Sequence, residues 1–146
     1  MFYIYIDKYK MSSLLHKVFG SKNAKIQNYH YDNIEKAVLN NTCYRHVIYT
    51  GKYQQLVYMC LIDNEDIPRE VHNGDQFIRV EQGTAQVILN DKEIIVLNAD
   101  DDILIPAGTY HYIKKSSPED LKLYSLYSPP EHPPDLIQRE QPKLNQ

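Results

Sequence analysis

The sequence has few of the residues on which several large functional classes depend. It contains two cysteines, five glycines and no tryptophan. The flanks of Cys43 and Cys60 read as strands, which fits two small core side chains better than a disulfide framework, so we expect two reduced, structural thiols. No glycine-rich phosphate loop and no G-x-S-x-G motif is present, which argues against P-loop nucleotide binders and serine hydrolases.

Positive charge and long apolar runs are also scarce. The net charge is -3, so the basic surface of a nucleic-acid binder is missing and we expect no nucleic-acid partner. No apolar run approaches the roughly 20 residues of a membrane span. Residues 1–20 carry charges where a signal peptide needs an uninterrupted apolar stretch. These features predict a cytoplasmic protein without a membrane partner.

A length of 146 residues fits one main domain. We divide the chain into an N-terminal extension over 1–33, a main domain over 34–135 and a C-terminal tail over 136–146. The extension has a β-like run at Phe2–Ile6 and a short helical pattern ending at Gly20. Four prolines lie between Ser128 and Asp135; since proline lacks the ladder donor, we expect an extended segment on the surface there.

The main domain reads as almost entirely β. A short helix is expected first, with Asp32 as its cap and its end at Asn40. About eight short strands follow, bounded by turn residues and with no helix between them, which favours an antiparallel sandwich or barrel. The predicted strands are Arg45–Thr50, Gln55–Ile62, Gln76–Glu81, Thr84–Asn90, Glu93–Leu97, Ile103–Ile105, Thr109–Lys114 and Leu121–Tyr127.

Four polar residues have a spacing typical of a metal site. Glu70 and His72 are two residues apart, so on extended backbone both side chains leave from the same face. Gln76 opens the next strand. His111 follows a turn at Pro106–Gly108 that can bring the chain back toward the same point. Four nitrogen and oxygen donors can therefore converge.

These residues lie in two motifs that resemble those of the cupin superfamily. E-x-H-x3-Q-x6-G, from Glu70 to Gly83, resembles the first cupin motif, and P-x-G-x-x-H, from Pro106 to His111, resembles the second. The region from about 33 to 135 is similar to small single-domain cupins of the mannose-6-phosphate-isomerase-like type. The resemblance implies an all-β fold, a cupin double-stranded β-helix (jelly-roll barrel), here with a short helical N-terminal extension.

The resemblance also implies the ligands Glu70, His72, Gln76 and His111 for one metal ion. Glu70 replaces the first histidine of the usual motif and Gln76 its glutamate, and both keep a donor atom. Asp100 replaces a glycine at the start of the second motif, and aspartate tolerates a positive φ better than most residues do.

Two imidazoles, one carboxylate and one amide oxygen suit one divalent transition metal (Zn, Fe, Mn, Ni or Co) better than calcium or magnesium. Three functions remain open. The first is an isomerase-like or other metal-assisted enzyme acting on a small sugar-like molecule, with Glu70 as ligand or base. The others are a non-enzymatic small-molecule-binding or scaffold protein and an Fe(II) dioxygenase. Small cupins commonly pair, so we expect a homodimer.

The remaining polar residues are interpreted more simply. Arg79 and Tyr110 alternate away from the face of Gln76 and His111, so we expect them outside the site. Arg45, Tyr58 and Tyr124 are candidate pocket-lining groups. Four histidines lack partners at suitable spacing and are interpreted as structural: His16, His30, His46 and His132.

Overall fold

The computed structural model describes residues 29–143, which form one helix and ten strands. The predicted elements between Phe2 and Gly20 lie outside the described residues. The elements are α1 (Ile34–Asn40), β1 (Arg45–Thr50), β2 (Gln55–Leu61), β3 (Asp66–Glu70), β4 (Asp75–Gln82), β5 (Ala85–Leu89), β6 (Glu93–Leu97), β7 (Asp102–Ile105), β8 (His111–Lys115), β9 (Leu121–Ser128) and β10 (Ile137–Gln138). The all-β prediction is confirmed.

The strands form two antiparallel sheets. One has six strands in the order β10-β1-β2-β9-β4-β7, and the other has four in the order β3-β8-β5-β6. No backbone ladder joins the two sheets within residues 29–143. The predicted jelly-roll layering is present, but the sheets are not closed into a barrel, because no ladder of backbone hydrogen bonds joins them over that range.

The core lies between the two sheets, where alternate residues of each strand meet. Along β9 every second side chain is buried, from Leu121 to Tyr127. Strand β2 is buried at every position because its other face is covered as well: Leu56 and Tyr58 pack against Val38 of α1. Val38 is fully buried, so the short helix is attached to the outer face of the six-stranded sheet by its apolar side.

The helix begins one residue later than the sequence predicts. Its N-cap is Asn33, whose Oδ1 accepts a hydrogen bond from the Lys36 amide at 3.0 Å. The predicted cap, Asp32, instead accepts from the Asn33 amide. Both residue types cap helices well, so the sequence alone does not separate them.

Within the described part of the chain, no helix is long and apolar enough to cross a membrane.

Two strands were not predicted. β3 contains Pro68 and three charged residues. The proline is tolerated because β3 is an edge strand, where the missing N–H costs no ladder hydrogen bond. β10 follows the proline-rich segment and pairs with β1, with Arg45 opposite Gln138. Part of the predicted tail over 136–146 is therefore bound to the sheet, and Leu136 packs against the core.

The two cysteines are free thiols. Cys60 is buried, Cys43 is partly exposed, and the Cys60 amide donates to the Cys43 carbonyl at 3.0 Å. Burial raises the pKa of the Cys60 thiol above its ordinary value. Cys60 is buried like a small apolar side chain, as expected, whereas Cys43 is only partly buried.

Gly74 lies where two segments touch. A Cβ built on Gly74 would stand 2.5 Å from the Ser128 carbonyl oxygen and 2.6 Å from Cδ of Pro129. We expect Gly74→Ala to destabilise the protein by about 3 kcal/mol, the upper end of the usual cost of overpacking, because the nearest contact is to backbone and cannot be relieved by a side-chain rotation. Gly108→Ala is the comparison, because Gly108 has a φ of 78° but no atom within 4 Å of its added Cβ; it should cost about 1 kcal/mol from backbone strain alone. Denaturant unfolding measures both, and equal costs would contradict the packing argument.

Candidate metal centre

Glu70, His72 and His111 meet at one end of the sandwich. Glu70 is the last residue of β3 and His111 the first of β8, and the two are direct partners in the antiparallel register. His72 lies two residues beyond Glu70. One ligand atom from each of the three residues lies within 4.8 Å of the others. The predicted convergence of these three side chains is present in the structure.

Both histidines present the same ring nitrogen to the carboxylate. Oε1 of Glu70 lies 3.1 Å from Nε2 of His72 and 3.3 Å from Nε2 of His111. Nδ1 of His111 lies 3.0 Å from the Thr109 carbonyl oxygen, to which it can only donate. An acceptor on Nδ1 leaves Nε2 with a free lone pair, which is the usual arrangement of a metal-binding histidine.

Gln76, the fourth predicted ligand, is 1% exposed. Its Nε2 donates to Oγ of Ser125 at 3.0 Å, and this bond fixes the orientation of the amide. Its Oε1 is buried and has no hydrogen-bond partner among the described residues. Such an orphaned acceptor costs about 1–3 kcal/mol, and a cation would remove that cost. In the register Gln76 is opposite Tyr127, whose ring packs against His72 at 5.3 Å.

The turn of the second motif is bound to the segment that carries His72. The Gly108 amide donates to the His72 carbonyl at 2.8 Å, and the Ala107 amide donates to Oδ1 of Asp75 at 3.0 Å. The positive φ of Gly108 explains why glycine stands in this turn. The two motifs are therefore held together by backbone contacts as well as by their polar side chains.

The exposed fraction of the three side chains differs strongly. The side chain of His111 is 1% exposed, that of His72 7% and that of Glu70 23%. Glu70 is therefore the side chain through which the cluster contacts solvent. Two surface clefts of about 260 and 420 Å³ are both lined by Asp63–Glu65 and by none of these three residues. They contain no histidine, and we do not assign the metal chemistry to them.

Charge and hydrogen bonding shift the acidity of the cluster. Burial raises the pKa of Glu70, but the hydrogen bonds and charges of His111 and His72 outweigh burial and lower it to about 2. For His72, burial lowers the pKa, but the contact with Glu70 and the charge of Glu131 outweigh it and raise the pKa above 6.5. The metal-free site thus favours a carboxylate beside an imidazolium.

These shifts predict how the metal-free protein depends on pH. The lowered pKa of Glu70 stabilises the fold above pH 4.5, and this contribution of about 3 kcal/mol is lost as pH falls toward 2. The raised pKa of His72 stabilises the fold below pH 6.5, and its contribution is lost as pH rises through the raised value. In denaturant unfolding at several pH values, the stability difference between wild type and Glu70→Gln should be largest between pH 4.5 and 6.5. A difference that is constant from pH 2.5 to 8.5 would contradict this.

The sequence predicts that the proline-rich segment lies on the surface. In the structure the segment also packs against the metal centre. Oε1 of Glu131 is 3.2 Å from Nδ1 of His72. The His132 ring packs edge-on against Tyr127 at 4.9 Å. Burial, with the nearby charge of Arg45, lowers the pKa of His132 to about 4, so His132 is neutral at pH 7. Sequence reasoning missed Glu131, Tyr127 and His132 as neighbours of the site.

The other candidates are distributed as follows. Arg79 forms ion pairs with Glu81 and Asp100, outside the site as predicted, and Asp100 has the expected positive φ of 75°. Tyr58 and Tyr124 belong to the cluster under α1 and do not line the site, so those two predictions are wrong. Tyr110 lies under the Arg69 guanidinium on the surface.

Comparisons with known proteins indicate the family of the chain. The cupin domain family matches residues 57–127. An uncharacterized protein of Acanthamoeba polyphaga mimivirus is 46% identical over 115 residues, covering 76% of this chain and 72% of that protein. Uncharacterized protein YrkC of Bacillus subtilis is 39% identical over 133 residues, covering 87% and 68%.

Solved structures match as well. A crystal structure from Bacillus halodurans has a TM-score of 0.76 at 34% identity and covers 80% of this chain and 92% of its own. An RmlC-like cupin family protein with a double-stranded beta-helix fold from Methanocaldococcus jannaschii has a TM-score of 0.58 at 13% identity, covering 73% and 94%; this likeness shows the fold. The sequence motifs, the two-sheet fold and these matches lead to one conclusion: the chain belongs to the cupin superfamily.

Proposed function

We propose that this cupin binds one divalent transition metal through Glu70, His72, Gln76 and His111 and uses it to act on a small, oxygen-rich, sugar-like molecule. The observation that carries the proposal is the convergence of one carboxylate oxygen and two imidazole Nε2 atoms. The orphaned Oε1 of Gln76 supports the fourth ligand.

The donor set fits a metal of the zinc, iron, manganese, nickel or cobalt type. Imidazole nitrogens favour these ions over calcium and magnesium. Glu70 supplies the only formal negative charge of the four ligands, so a bound divalent ion keeps net positive charge. Such an ion polarises a carbonyl or hydroxyl oxygen or lowers the pKa of its water.

The protein side chains around the cluster favour a neutral polar molecule. Glu70 is the ligand side chain most open to solvent, and its low pKa keeps it ionised at pH 7, so it can coordinate a cation or accept a hydrogen bond. Glu131 adds a second carboxylate at the entrance, whereas His132 is neutral. Two carboxylates disfavour anionic molecules and suit the hydroxyl groups of a sugar.

A turnover assay tests this function. Protein loaded with each metal in turn is mixed with a panel of aldoses, ketoses and enediol compounds, and products are followed by NMR. We expect conversion of at least one compound, and loss of that conversion in Glu70→Gln. Glu93→Gln, in an exposed position on β6, is the matched control. Binding of panel members without any conversion would overturn the enzymatic proposal and support the non-enzymatic binding protein.

The three clustered residues also match a second candidate function, an Fe(II) dioxygenase. Two histidines and one carboxylate leave coordination positions open on iron in non-haem oxygenases. Anaerobic loading with Fe(II), followed by measurement of oxygen consumption with the same panel, separates the two functions. Substrate-dependent oxygen uptake supports the dioxygenase; conversion without oxygen supports the isomerase-like enzyme.

We also propose a homodimer. The edge strands β6 and β7 carry exposed apolar side chains: Ile94 is 62% exposed, Val96 52% and Leu104 69%. Exposed apolar edges favour association with a second copy. Light scattering of the full chain at micromolar concentration should give twice the monomer mass, and Val96→Lys with Leu104→Lys should reduce it. A monomer mass for the unsubstituted protein would contradict the proposal.

A further inference from the structure

The segment Ser128–Asp135, here called the strap, is held by a buried glutamine. Gln55 is fully buried, and its Oε1 accepts from the backbone amides of His132 at 2.9 Å and Glu131 at 3.2 Å. Its Nε2 donates to the His132 carbonyl at 2.8 Å and to Oγ1 of Thr50 at 2.9 Å. One side chain thus supplies the strap with hydrogen bonds that a neighbouring strand would otherwise supply.

These hydrogen bonds of Gln55, here called the clamp, set the position of Glu131 relative to the metal centre. Glu131 and His132 are the residues whose backbone Gln55 binds, and the Glu131 carboxylate lies 3.2 Å from Nδ1 of His72. The contact has an ion-pair distance but not the alignment of a hydrogen bond, and Nδ1 is buried without another partner in the part of the chain that is described. Glu131 is therefore the acceptor available to that nitrogen.

The two histidines of the cluster differ in the group that lies beside their Nδ1 atoms. Nδ1 of His111 is beside a backbone carbonyl, that of Thr109, and no substitution removes it. His72 lies between two carboxylates, with Glu70 at Nε2 and Glu131 at Nδ1. Glu70 alone would favour a proton on Nε2, the atom that must be unprotonated to bind a metal. An acceptor at Nδ1 is needed to oppose that preference.

We propose that Glu131 is a positioning residue that holds the His72 proton on Nδ1 and so leaves Nε2 free for the metal, and that Gln55 acts by keeping Glu131 in place. The inference rests on the proposed metal centre. Carboxylate partners of metal-binding histidines fix the ring orientation and strengthen the nitrogen as a donor, and their loss typically weakens metal binding about 10- to 100-fold.

The first test combines two measurements on the full chain. Zinc affinity is measured by chelator competition, and the His72 tautomer is read from ¹⁵N NMR of the metal-free protein at a pH where His72 is neutral. Glu131→Ala should weaken zinc about 10- to 100-fold and shift His72 toward the Nε2-protonated tautomer. Glu131→Gln, which keeps an oxygen acceptor, should retain part of the zinc affinity and part of the Nδ1-protonated tautomer of His72. Glu119→Ala, an exposed loop glutamate beside Pro118, is the control and should change neither.

Unchanged affinity and tautomer in Glu131→Ala would overturn the inference while leaving the metal centre intact. If wild-type protein binds no zinc or other transition metal, the proposed function fails, and the tautomer measurement still decides the role of Glu131. Because the Glu131 side chain is 38% exposed, its truncation should not prevent folding.

A double-mutant cycle tests the part played by Gln55. Gln55→Met removes the clamp at similar volume, and it should weaken zinc binding in the wild-type background but have little further effect in Glu131→Ala. Full additivity of the two losses would overturn the role of the clamp. If Gln55→Met does not fold, Gln55→Asn replaces it in the cycle, because the neutral but shorter amide cannot reach the Glu131 and His132 amides in the same way. The same loss of zinc affinity and the same non-additivity with Glu131→Ala are expected, and full additivity again overturns the role of Gln55.

Discussion

Protein carrying Glu70→Ala and His111→Ala together should bind no stoichiometric metal. The double substitution removes the carboxylate and one of the two imidazoles that converge within 4.8 Å. His72 and Gln76 then remain as two neutral ligands, too few for a transition metal site, which usually has three or four protein ligands. We expect added zinc to bind at least about 1,000-fold more weakly, since each lost ligand costs more than the 10- to 100-fold typical of an outer partner.

Chelator competition and thermal unfolding with and without zinc measure this effect. A metal present at 100 times its Kd stabilises the wild-type protein by about 2.7 kcal/mol, and that gain should vanish in the double variant. His46→Ala with Glu93→Ala is the matched control, because His46 on β1 and Glu93 on β6 lie outside the cluster. Equal zinc stabilisation of both double variants would contradict the assigned ligands.

Gln76→Glu should make folding strongly dependent on metal. The new carboxylate would be buried, and Ser125 could not compensate for the lost amide donor, because its Oγ hydrogen is already donated to the Phe77 carbonyl. A buried unpaired charge costs about 3–5 kcal/mol. The metal-free variant should lose that much stability, whereas zinc should restore most of it, because the carboxylate then faces a cation.

Denaturant unfolding with zinc and with chelator tests the second prediction. Gln86→Glu on β5 is the control, since Gln86 is on the alternate, partly exposed positions of its strand; it should be nearly neutral under both conditions. A loss in Gln76→Glu that zinc does not reduce would show that Gln76 is a buried polar residue and not a ligand.

The sequence was most informative where pattern and packing agree. Alternation predicted β9 closely, because one face of that strand is buried along its whole length. It also predicted Glu70 and His72 on one face, and Pro106–His111 as a return toward them. Those inferences depend on local geometry, which the spacing of residues determines directly.

The parts that were missed depend on contacts distant in the chain. The sequence of β3 is polar for a strand and contains Pro68. The segment is nevertheless a strand because it pairs with β8, and Pro68 is tolerated because the other side of β3 has no partner strand within residues 29–143. The proline-rich segment reads as an exposed tail, whereas Gln55, 77 residues away from His132, binds its backbone. Nothing in the local sequence of Glu131 or His132 indicates that they lie beside the cluster.

Anomalous diffraction from crystals of the full chain loaded with zinc tests the central claim most directly. The account predicts one strong peak at about 2.0–2.2 Å from Nε2 of His72, Nε2 of His111 and a Glu70 carboxylate oxygen, with Oε1 of Gln76 as the fourth protein donor. A map without a peak among these side chains, or with the peak at Asp63–Asp66 instead, would contradict it.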